Sequence, residues 1–168
     1  MHYVVLAYPN ISKADYKWIQ GIRKINDKQF TIVKPHFTLV FPTDKVSEPE
    51  MRRHIKAEKL NTQPFAFTLT KAVVEENIYP KYFQVHLVAN EPIAGIVELH
   101  DSLYVGVLAS ELRKDIPYVP HITVASNENK ELIQQLADEI NKSGLAIKGD
   151  VDGVTVSSFD GTKVIDIE

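Results

Sequence analysis

The chain has 168 residues, 44% of them apolar and 24% charged, which are the proportions of a soluble globular domain with room for a real interior. A formal net charge of −3 excludes a broad electropositive surface for long nucleic acid, while leaving room for a small nucleotide or an RNA end held by a few local cations. The lack of cysteine excludes disulfides, thiolate chemistry and cysteine-ligated metal centres, and no apolar run reaches membrane-spanning length.

In chain order, residues 2–8 read as an apolar strand with no basic leader ahead of Pro9, so the expected location is the cytoplasm, with no membrane partner. Ser12, with Asp15 three residues on, suits a helix N-cap, and Trp18, Ile19, Ile22 and Ile25 follow at helical spacing over roughly 13–25. Ser47-Glu48-Pro49-Glu50 is a capping box with proline in the first turn, opening a helix to about residue 60. The stretch 65–74 alternates as one strand, and 82–89 reads as another. Asn90-Glu91-Pro92 predicts a helix over about 91–108. Asn127 predicts the cap of a helix bearing Leu132, Ile133, Leu136 and Ile140, which Gly144 ends. Two last strands, about 145–157 and 162–167, turn at Asp160-Gly161.

One tetrad occurs twice: Pro35-His36-Phe37-Thr38 and Pro120-His121-Ile122-Thr123. Each is followed by an apolar residue, Leu39 or Val124, so each reads as a strand opened by proline. Side chains alternate along a strand, so His and Thr share one face and the apolar residues take the other. Two such strands facing each other bring two imidazoles and two hydroxyls to one cleft. That is equipment for placing one proton on a phosphate ester and taking another off. The two histidines lie 85 positions apart, and the first strands and first helices recur at about 80, which predicts an internal duplication with no linker between the halves. In 82–88, Phe83, Val85 and Leu87 are expected to meet helices, leaving Tyr82, Gln84 and His86 on the cleft face. In 65–70, Phe65, Phe67 and Leu69 take the core side, with Thr68 and Thr70 opposite.

The paired tetrads in a duplicated chain of this size resemble the 2H phosphoesterase superfamily, which includes the bacterial 2′-5′ RNA ligase-like proteins and cyclic phosphodiesterases of RNA processing. Val156-Ser157-Ser158-Phe159 also looks like the segment before the last strand in the ligase-like branch. The resemblance implies an α+β fold of two pseudo-symmetric lobes, each an antiparallel sheet with outer helices, and a cleft between them. It implies a single bilobal domain over 1–168, with repeat halves of about 1–78 and 79–168 that can exchange strands. By position, its catalytic histidines fall on His36 and His121 and its phosphate-binding hydroxyls on Thr38 and Thr123. The implied function is metal-independent hydrolysis of a 2′,3′-cyclic phosphate or a 2′-5′ linkage on a nucleotide or short RNA end, with no cofactor. Joining a 5′-hydroxyl to the cyclic phosphate would be the reverse reaction. A monomer is expected. Lys34, Arg113 and Lys114 are the cations nearest the motifs, too few for long RNA.

Tyr82, Gln84, His86 and Tyr118 are further candidates for substrate binding, whereas His2, His54 and His100 read as ordinary structural residues. No metal-ligand spacing, P-loop, dinucleotide fingerprint or serine elbow is present, and Asp150-Val151-Asp152-Gly153 reads as a turn. Arg52-Arg53-His54-Ile55-Lys56 reads as the solvated side of an amphipathic helix. The alternative function is a module that binds a nucleotide in the same cleft without turnover. Two imidazoles flanking one phosphate favour the enzyme.

Overall fold

The computed structural model describes residues 1–59, 63–78 and 80–167. The strands are β1 (His2–Ala7), β2 (Asn10–Ile11), β3 (Phe37–Thr43), β4 (Phe65–Leu69), β5 (Lys71–Asn77), β6 (Tyr82–Val88), β7 (Ile122–Asn127), β8 (Ile147–Val151), β9 (Thr155–Phe159) and β10 (Val164–Asp166). The helices are α1 (Lys13–Asn26), α2 (Glu48–Glu58), α3 (Ala94–Leu103) and α4 (Lys130–Lys142), with a 3₁₀ turn at Gly106–Glu111. The expected end of α2 near residue 60, and position 79 at the expected boundary of the halves, lie outside the described residues.

Local chemistry accounts for most helix ends. Ser12 Oγ accepts the Asp15 amide at 3.0 Å, and the Ser47 amide donates to the Glu50 carboxylate at 3.1 Å. Gly144, at φ 74, takes the left-handed conformation that closes α4. The cap of α4 is Asn129 and not Asn127. Asn129 Oδ1 accepts the amides of Glu131 and Leu132, while Asn127 caps the turn before it by accepting the Asn129 amide at 2.8 Å. The helix expected over 91–108 is shorter: Ile93 stands at its start in place of the Asn90-Glu91-Pro92 cap, and at its end Tyr104 and then extended Val105 leave the helical region before the 3₁₀ turn that begins at Gly106. On α1, Ile25 is 84% exposed and Arg23 is buried. Position 23 lies one turn beyond fully buried Ile19, so it shares the inward face.

Two expected strands each break into a pair serving different sheets. The run 65–74 splits at Thr70: Leu69 pairs with Ile147 of β8, whereas the Thr70 amide already reaches the Val88 carbonyl at the end of β6. The run 145–157 splits at 152–154 into β8 and β9, where Asp152-Gly153 interrupts the ladder.

Three antiparallel sheets result, with orders β10-β9-β1-β3, β2-β8-β4 and β5-β6-β7. The expected α+β fold is thus observed, and the duplication is visible in register. Leu6 faces Thr38 and Ala7 faces Phe37 in the β1/β3 ladder; His86 faces Thr123 and Leu87 faces Ile122 in the β6/β7 ladder. Each ladder slips immediately before these pairs, between Val5 and Leu6 in one and between Val85 and His86 in the other. A bulge at the same place in both repeats, at Leu39 and Val124, bends both strands just past the tetrad threonines.

Helices cross between the halves. From the first half, α1 packs on β7, beside α4 on β5 and β6; from the second half, α3 packs on β3 and on α2. One apolar cluster runs through both halves, including Val5, Phe37 and Leu39 with Val85, Leu87, Ile122 and Val124. No helix among the described residues is long and apolar enough to cross a membrane.

Candidate active site

His36 and His121 each stand one residue ahead of their strand, behind a buried proline. The proline fixes its own φ and keeps the residue before it extended, which turns the carbonyl two positions back toward the histidine ring. His36 Nδ1 lies 2.7 Å from the Lys34 carbonyl, and His121 Nδ1 lies 2.7 Å from the Val119 carbonyl. A carbonyl only accepts, so Nδ1 carries hydrogen in both rings and Nε2 is the atom left for proton exchange. Thr38 and Thr123 lie two residues on, on the same strand faces as their histidines.

Burial pushes the His36 imidazole down to about 4, and the positive charges of Arg23 and His121 push the same way; the Lys34 carbonyl and Asp27 oppose them. His121 therefore lies within electrostatic reach of His36, although the two are far apart along the chain. Burial also lowers His121, against the Val119 carbonyl, which favours its charged form.

The other sequence candidates differ in placement. His86 is 9% exposed, and its ring lies flat on His121 at 3.6 Å between centroids and 5° between planes. Its Nε2–H donates to Gln84 Oε1 at 3.1 Å. Burial, and then the charge of His121, hold His86 down to about 2. Tyr118 donates its phenol hydrogen to the Thr38 carbonyl at 2.8 Å, and its ring stacks on buried His100 at 3.7 Å. Tyr104, beside His100, accepts the Phe41 amide at 3.1 Å. The segment leading into the second tetrad is thus tied to the strand of the first. Tyr82 is remote from this group: it pairs with Asn77, four residues along β6 from His86, about 13 Å at the usual strand rise.

Two groups beside the histidines escaped sequence reading. Arg23 donates to Asp27 Oδ2 at 2.7 Å, Gln20 Oε1 at 2.9 Å, the Val33 carbonyl at 2.8 Å and the Gln29 carbonyl at 3.2 Å. It pins the loop that delivers Pro35-His36. Its signal was the spacing Ile19, Arg23, Asp27 along one helix face. Tyr8 stands one position past the Ala7–Phe37 pair, across the ladder from His36. Its hydroxyl donates to Asp166 Oδ1 at 2.9 Å, and the Ser157 hydroxyl donates to the same oxygen at 2.8 Å. Burial and the Asp166 carboxylate raise the Tyr8 phenol well above its ordinary range. Ser157 belongs to the Val156–Phe159 segment singled out in the sequence.

Among the described residues, no three His, Asp or Glu side chains are grouped so as to hold a metal ion. A cavity of about 540 Å³ between α1 and α4, lined in part by Ile25, Leu132 and Leu136, contains neither tetrad histidine.

Two sheets from a duplicated chain, each opened by a Pro-His-x-Thr strand, define a 2H phosphoesterase fold. The family model for the 2′-5′ RNA ligase superfamily matches residues 11–163, and the chain belongs to that family. The "Putative phosphoesterase" of Bacillus licheniformis is 31% identical over 132 residues, covering 74% of this chain and 70% of its own. Escherichia coli LigT, solved without ligand, superposes with a TM-score of 0.60 at 17% identity, over 99% of this chain and 94% of LigT. Usb1 of Kluyveromyces marxianus superposes with a TM-score of 0.56 at 13% identity, over 98% and 96% of the two chains. The expected superfamily and fold are both borne out.

Proposed function

We propose that this phosphoesterase-family chain hydrolyses a 2′,3′-cyclic phosphate or a 2′-5′ phosphodiester on a nucleotide or short RNA end, without a metal, using His36 and His121. The observation that carries the reading is the matched pair of Nδ1–carbonyl hydrogen bonds, which prepares Nε2 of each ring for proton transfer. LigT has also been solved in complex with 3′-AMP, and a 3′-nucleotide is the size of ligand that two imidazoles and two hydroxyls would serve.

Water attacks phosphorus and gives its proton to one Nε2. The new P–O bond forms as the bond to a ribose oxygen breaks, and the second imidazolium gives that oxygen its proton. Thr38 and Thr123 hydrogen-bond the non-bridging oxygens, where charge builds in the transition state. Burial opposes a proton on both rings, but the charge of Arg23 bears on His36 and is not among the influences on His121, so we assign a single proton shared by the pair to His121. That makes His36 the base and His121 the acid. A 5′-hydroxyl in place of water would run the same scheme as ligation.

With 2′,3′-cyclic AMP as substrate, His36→Ala and His121→Ala should each lower kcat/KM by about 10²- to 10⁴-fold, and chelator should leave the wild-type rate unchanged. The pH profile should be a bell on the acid side of neutrality. It rises as His36 loses its proton near 4 and falls as His121 loses its own below the ordinary histidine value. Wild-type rates in either alanine variant, or an optimum above about pH 8, would overturn the scheme.

A further inference from the structure

The two halves differ on one strand face beside the tetrads. Leu6 and His86 correspond: each follows its ladder's bulge, and each faces the tetrad threonine, Thr38 or Thr123. Their neighbours on the same face, Val4 and Gln84, differ in the same way. The first half keeps two buried aliphatic residues where the second carries an imidazole bonded to an amide. A polar pair here is harder to bury than leucine and valine. What it adds is a flat ring in contact with His121.

We infer that His86 is a positioning residue for His121, fixing the plane of that ring from below while the Val119 carbonyl fixes its edge. Among the described residues no aromatic ring stacks on His36, which has the Lys34 carbonyl as its edge contact. The two imidazoles that the repeat supplies are thereby made unequal. His86 remains uncharged, because burial and a charged His121 both oppose its protonation, and a neutral ring attracts the cation lying on it. The contact therefore favours the proton on His121 and aims Nε2 at the cleft.

Other charged groups on the packed elements bear on this pair weakly. From α1, Arg23 and Asp27 pair with each other and act on His36. Lys130, Glu131, Asp138, Glu139 and Lys142 of α4, and Lys71, Glu75 and Glu76 of β5, are exposed.

The inference rests on the reading of His121 as the acid, and two readouts separate the failures of each. The variants are His86→Leu, which copies the first half, and His86→Phe, which keeps a flat ring. With 2′,3′-cyclic AMP, His86→Leu should lower kcat about 10- to 100-fold with KM nearly unchanged and shift the alkaline limb to lower pH; His86→Phe should recover most of that turnover. Imidazole nitrogen NMR without substrate should show His121 titrating at lower pH in His86→Leu, with His36 unmoved. Equal loss in both variants, a rise in KM as the main effect, or an unmoved His121 titration would overturn the inference. If the wild type does not turn over this substrate, the proposed function fails while the titration still tests the ring contact.

Discussion

A histidine preceded by proline has little choice about where its ring edge goes. In both tetrads that edge closes on the carbonyl two residues back, at 2.7 Å, so three consecutive residues set the tautomer. This is why the tetrads were legible in the sequence: their meaning is local. Arg23 was not legible, because an arginine on an amphipathic helix ordinarily reaches solvent. Here its guanidinium is buried beside Asp27, with side-chain exposures of 2% each, and Gln20 and two loop carbonyls accept from its other nitrogens. Arg23→Met should leave the Asp27 charge buried and unpaired and destabilise the fold by about 3–5 kcal/mol in urea titration. Replacing both partners, as Arg23→Met with Asp27→Leu, should lose clearly less. A single variant as stable as wild type would mean that Asp27 finds water or another donor.

Elements were legible in kind and less so in extent. Strand alternation runs straight through Thr70 and survives on both sides of Asp152-Gly153, so nothing in the pattern says that the chain changes sheets there. Only the partners tell: β8 claims Leu69, while the end of β6 claims Thr70. In β6, Phe83, Val85 and Leu87 are buried as expected, whereas His86, expected on the open cleft face, is itself buried under the His121 ring. The crossing of helices has a measurable outcome. Each half leaves part of its own sheet to be covered by the other's helix, α1 on β7 and α3 on β3. Separate fragments of about 1–78 and 79–168 should therefore be largely unfolded by circular dichroism when alone and regain structure on mixing. A folded, monomeric single fragment would contradict that dependence.

For the molecule as a whole, histidines held neutral in the fold tie stability to pH. His36 stays unprotonated to about 4 and His86 to about 2, whereas the same groups in the unfolded chain take up protons near 6.5. The unfolded state then binds more protons, so stability is fully present above about pH 6.5 and falls as pH drops from there toward 4. Each such group contributes a slope of up to about 1.4 kcal/mol per pH unit. The urea midpoint should decline over this window, and His86→Leu should flatten the decline. A level midpoint from pH 7 to 4.5 would show that these rings reach solvent and charge freely.

The phenol of Tyr118 has a mechanical consequence. It is a strut from the approach to one tetrad onto the backbone of the other, braced behind by the His100 ring. Any motion that carries the approach to the second tetrad away from the strand of the first must snap that strut or unseat the ring pair behind it, so the two segments move as one piece.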